Sequence, residues 1–181
     1  MRFISTAVAV LVVLSVGSLL YAWSGIYNIA ATQSHWDITR WFIETLKDRS
    51  IDVHSDDVQV PNLDEATIKQ AAFSHYHGMC RLCHGAPGVE PEEFAKGLYP
   101  EPPEMTSGHL QQEFSQAQIH WIAKHGIKLT GMPAFGPTHT EEELWGLVAL
   151  VEEMDEMSPE QYRQQLDQRK TDGQNGHQHT H

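Results

Sequence analysis

At 181 residues the chain has the length of a single domain. Acidic residues outnumber basic ones 24 to 12; beyond residue 36 the count is 11 basic and 24 acidic side chains, or −13. That balance excludes the clustered Lys and Arg of a nucleic-acid binder. It suits a partner with a basic docking face reached by charge-steered encounter, and it equally serves solubility.

In chain order, the first element is an apolar run from Phe3 to Trp23, preceded by Arg2 and followed by no charge until Asp37. About 20 apolar residues at 1.5 Å rise cross a hydrocarbon core of about 30 Å. Tyr21, Trp23 and Tyr27 gather at its end, where amphipathic aromatics favour the interface. We read residues 1–27 as an uncleaved membrane anchor. The alternative is a cleaved signal peptide, with Ala22-Trp23-Ser24 as a weak cleavage site. The lone basic residue at the start places the amino terminus in the cytoplasm and the rest of the chain outside it.

Residues 28–62 read as a short amphipathic helix and a linker. Ile38, Trp41, Phe42, Thr45 and Leu46 recur at helical spacing, which suits packing on the domain, lying at a membrane surface or docking on a partner subunit. Ile51 to Asn62 is acidic, ends after Pro61 and reads as linker. The domain proper is expected over 63–157. It opens with a helix through Ile68, Ala72, Phe73, Tyr76 and Met79. A Pro- and Gly-rich stretch without period follows from Gly85 to Gly108. Ser115 caps a helix over Gln116–His125 that Gly126 ends. Thr140 and Glu143 form a capping box for a helix through Leu144, Leu147, Val148 and Val151. Ser158-Pro159 opens a short helix in 158–181, whose polar tail from Thr171 reads as disordered. No β-alternation or internal repeat appears, so the fold class is all-α.

Cys80-Arg81-Leu82-Cys83-His84 uses both cysteines of the chain. C-x-x-C-H is the pattern of covalent haem attachment: two thiols can add to two vinyl groups, and the next histidine can reach the iron. A thioredoxin-like dithiol would need a strand leading into the pair. A structural zinc site would need two further N or S ligands. The expected cofactor is therefore one haem c, tethered by Cys80 and Cys83 and ligated by His84.

The other axial position falls to Met132 in Thr130-Gly131-Met132-Pro133-Ala134-Phe135-Gly136. A thioether suits an electron carrier, since Met/His ligation raises the potential, and glycines with a proline make a rigid loop. Met79, Met105, Met154 and Met157 read as core filler. His109, His125 and His139 are the alternative ligands. His75 and His77 lie too close to the attachment site to reach the far face of the haem. His177, His179 and His181 read as a solvated tail that could bind metal weakly.

Cys80-x-x-Cys83-His84-Gly85 followed by Gly131-Met132-Pro133-Ala134-Phe135 resembles a class I c-type cytochrome over roughly Leu63 to Met157. In that family Ala72 and Tyr76 stand where a small residue and an aromatic precede the haem motif. Ala takes the place of the commoner Gly, and Leu150 that of the usual aromatic in the last helix, which implies a slightly wider crossing. The resemblance also implies a hydrogen bond from the proximal histidine to a proline carbonyl, with Pro100, Pro102 and Pro103 as candidates. It places Trp121, Ile122 and Ile127 in the wall of the haem crevice.

The whole chain, including Ser24-Gly25-Ile26-Tyr27-Asn28, is similar to bacterial membrane-anchored monohaem cytochromes. This likeness implies a single-pass protein of the bacterial inner membrane with its haem domain on the periplasmic side. It would pass single electrons between respiratory or periplasmic redox partners, binding no small-molecule substrate at the iron. A haem subunit fixed in a larger oxidoreductase complex is the alternative; a peroxidase would need an open iron position, and a sensor an output module.

Overall fold

The computed structural model describes residues 2–63 and 72–176, with side chains to residue 168. The upstream part of the expected helix, including Ile68, and His177, His179 and His181 lie outside the described residues. The chain divides into two compact units, Met1–Asp37 and Ile38–His181.

The first unit contains α1, Arg2–Ser24. Its 23 residues are long and apolar enough to cross a membrane, a property shared by anchors and signal sequences. Its end folds back locally. The Tyr27 hydroxyl and His35 Nδ1 are 2.8 Å apart, and the Trp36 ring meets Tyr27 at 5.2 Å and Tyr21 at 6.2 Å.

The second unit is mostly helical, with an isolated bridge between Ala86 and Val89. It holds α2 (Asp37–Ser55), which begins at the unit boundary, and α3, the helical run 72–84. It continues through α4 (His109–Glu113), α5 (Gln116–His125), α6 (Glu141–Glu152) and α7 (Pro159–Gly176). α2 is longer than expected. The stretch from Ile51 reads as linker by its charges, yet Ile51 and Ser55 are buried. Asp48, Arg49 and Asp52 lie on the exposed side of the helix, so their charge records exposure and not the end of the helix. α7 likewise runs past Thr171, where the polar sequence predicts a disordered tail.

Ser115 and Thr140 cap α5 and α6 as their sequences require, each in a reciprocal box with Gln118 or Glu143. α6 is buried on every face from Leu144 to Val151, more than its apolar stripe suggests. Its core partners are Ala72, Phe73 and Tyr76 of α3, Met105, Leu110, Met154, and Tyr162 of α7. Ala72 and Leu150 share this cluster, as the family resemblance leads one to expect for the first and last helices. Met105 and Met154 are core filler, and Met157 packs against the same cluster.

Candidate haem-attachment site

The C-x-x-C-H segment ends α3. A π-helical turn, Tyr76–Cys80, passes directly into the α-helical turn Arg81–His84. Such turns recur at functional sites. Helical spacing of three residues turns both thiols toward one face, with His84 one residue beyond. The Tyr76 hydroxyl donates 2.7 Å to the Gly85 carbonyl and ties the start of the segment to its end. Burial drives the Tyr76 pKa far above the usual phenol range, so the hydroxyl remains a donor.

His84 is 8% exposed. Its Nδ1 lies 2.8 Å from the Pro103 carbonyl. A carbonyl only accepts, so Nδ1 carries the proton and Nε2 keeps its lone pair for a metal. Of the three candidate prolines, the chain uses Pro103. Burial pushes the His84 pKa below its usual value, against the hydrogen bond, and favours the neutral imidazole that a ligand must be.

Cys80 and Cys83 are free thiols. Burial pushes Cys80 up to about 12 and raises Cys83 as well. Apolar surroundings disfavour a thiolate and suit a thioether sulfur. The pair lies within helix and, among the described residues, no strand leads into it. Nor, among those residues, do three or more His, Cys, Asp and Glu side chains meet to hold a metal ion. The dithiol and zinc alternatives gain no support.

Met132 sits in the loop between α5 and α6. Gly126 ends α5 at φ +65°, and a Cβ there would lie 2.7 Å from Pro133 C and Ala134 N and 2.8 Å from Met132 O. The loop therefore packs backbone to backbone against the helix end. The Phe135 and Gly136 amides donate to the Ala123 and Lys124 carbonyls, satisfying the last turn. Ile127 donates to the Met132 carbonyl, and the Met132 amide donates to Thr130 Oγ1. At Gly131, a Cβ would meet Leu98 at 2.9 Å, which seats the methionine loop on the segment leading to Pro103. Trp121, Ile122, Ile127 and Met132 itself are all part-exposed.

The alternative ligand histidines have other roles. His139 Nδ1 lies 3.2 Å from the Phe135 carbonyl and its Nε2 3.1 Å from His75 Nδ1, so both of its nitrogens have protein partners. His75 Nε2 faces Glu143 at 3.5 Å. His109 pairs with Glu113, and the exposed His125 lies against Trp121. His77 Nδ1 meets the Tyr162 hydroxyl at 2.8 Å.

Sequence reasoning missed His120. It is buried, stacks on Trp145 at 4.0 Å, and meets Glu141 through Nε2 at 3.1 Å. Among the described residues its buried Nδ1 has no hydrogen-bond partner. Nothing in the local pattern distinguishes it from a surface histidine.

A buried histidine that gives Nδ1 to the Pro103 carbonyl thus follows directly after two helical thiols in an all-α domain. Residues 67–151 match the family model described as cytochrome c oxidase, cbb3-type, subunit III. The chain thus carries a cytochrome c domain, and haem-based electron transfer follows from it. No curated protein and no solved structure matches the chain.

Proposed function

We propose that the protein is a membrane-tethered carrier of single electrons holding one covalent haem c. The observation that carries this reading is the His84 Nδ1–Pro103 bond beside Cys80 and Cys83. It leaves one oriented lone pair where the attachment motif needs a ligand. Two cysteines in a single C-x-x-C-H segment suit one haem. When bound, the haem supplies an iron that cycles between Fe(II) and Fe(III).

The chain's residues do the rest. Cys80 and Cys83 would anchor the group, and His84, its ring fixed by Pro103, would be its first iron ligand. Met132 would supply the second ligand, on a loop braced by Gly126 and Leu98. With His84 and Met132 both on the iron, no position would be left for a substrate, and the bound group would serve electron transfer. α1 anchors the chain in the bacterial inner membrane, with the haem domain on the periplasmic side. The −13 charge beyond residue 36 suits redox partners with basic faces.

Met132→Ala tests the ligand set. Covalent haem persists while the methionine–iron charge-transfer band disappears and the potential drops. An unchanged spectrum and potential refute Met132 as ligand.

The description of the matched family favours a second reading, a haem subunit fixed within an oxidase complex. Gentle solubilisation of native membranes separates the two. Stoichiometric co-purifying subunits establish the complex, and a lone chain establishes the carrier.

A further inference from the structure

α2 has two apolar sides. Ile51 is fully buried, with Ile43 and the Lys47 stem half-buried on the same side. Here the helix joins its own domain: the His54 ring meets the Trp121 ring at 5.7 Å. On the other side Ile38, Trp41, Phe42 and Leu46 are 60–66% exposed. Spacings of three, four and four residues give a continuous stripe on one helix face. Contiguous exposed apolar surface of this kind marks a binding face.

Its occupant is indicated by the chain that leads into it. α1 is the candidate membrane span, about 35 Å long at 1.5 Å per residue. Tyr21, one turn from its end, is in ring contact with Trp36, the residue directly before α2. A span that ends near Tyr21 therefore starts α2 at the level of the membrane interface. Ile38, Trp41 and Phe42 come within six residues of Trp36, or roughly 9 Å of helix.

We propose that α2 lies in the lipid interface, its Ile38–Trp41–Phe42–Leu46 stripe inserted among the acyl chains and its opposite side holding the haem domain. The ligand is neutral lipid. α2 carries Asp37, Glu44, Asp48 and Asp52 against Arg40, Lys47 and Arg49, too balanced to seek anionic headgroups. This rests on the reading of α1 as an anchor.

The test uses the full-length holoprotein in phosphatidylcholine nanodiscs. With Cys80 and Cys83 both consumed by haem, an introduced cysteine is the one free thiol for a spin label. Labels go on Leu46→Cys, on Leu11→Cys within α1, and on the exposed Glu113→Cys as an aqueous reference. The expected result is that a water-soluble nickel relaxant reaches the labels at 46 and 11 at least severalfold less than at 113, with or without anionic lipid. A label at 46 as accessible as at 113, with 11 still protected, overturns the interfacial helix and leaves the anchor standing. Both labels accessible overturns the anchor as well. Protection at 46 in native membranes but not in pure lipid assigns the stripe to a protein partner and overturns the proposal.

Discussion

Gly126→Ala tests whether the distal loop depends on its approach to α5. Gly126 has φ +65° and ψ −175°, a region almost reserved for glycine. A Cβ would lie 2.7–2.8 Å from Met132 O, Pro133 C and Ala134 N. All three are backbone atoms and cannot rotate aside. Strain at such a conformation costs about 1–3 kcal/mol, and overpacking adds about 1–3 kcal/mol. A total of about 3 kcal/mol lowers the melting temperature by roughly 10–20 °C for a domain of this size. Relief would come by moving the 132–134 backbone, so, with Met132 as the proposed ligand, the methionine–iron band weakens or vanishes in the oxidised holoprotein. Gly88→Ala is the control. Gly88 also has positive φ (+73°), and its Cβ would strike Pro159 at 2.7 Å, far along the chain from the loop. That variant is expected to lose stability but keep the band. The assay is paired thermal melts and visible spectra of both holoproteins. Wild-type stability and an intact band in Gly126→Ala refute the close packing; band loss in both variants refutes the link to the distal loop.

Tyr76→Phe removes the donor to the Gly85 carbonyl, and both residues are buried. An unsatisfied buried acceptor costs about 2 kcal/mol, or a melting temperature lower by roughly 10 °C; a shift under about 2 °C in the holoprotein counts against the tie. Stability should also fall as pH drops from about 7 to about 5.5, in part through His120. Burial holds its folded pKa below the usual value of about 6.5. Above that pH both folded and unfolded chains are neutral there. Below it the unfolded chain takes up a proton that buried His120 refuses, so stability declines until the pH passes the folded pKa. Glu141 and Glu143, held below the usual carboxylate range by Lys124 and by the Thr140 cap, add a loss of the same sign at lower pH. Denaturant unfolding of His120→Gln across this range should give a shallower slope, and a slope equal to the wild type refutes the assignment.

The local features of this fold are legible in residue order because their causes are local. A capping box needs only Ser115 or Thr140 and the residue three places on. A span needs only about 20 apolar residues, and an attachment motif only five positions. The sequence therefore determined the all-α class and the α5 and α6 starts, and it places Cys80, Cys83 and His84 within one helical turn. The tertiary structure decided what depends on contacts distant in sequence. Pro103 alone of three nearby prolines meets His84, because chain folding and not spacing brings its carbonyl to Nδ1. Ile51 is core although charged neighbours made it look like linker, because a helix can bury one side and solvate the other. His139 is committed to His75, 64 positions away, and His120 to Trp145 and Glu141. Packing between segments distant in sequence makes these pairs, and no local pattern encodes them.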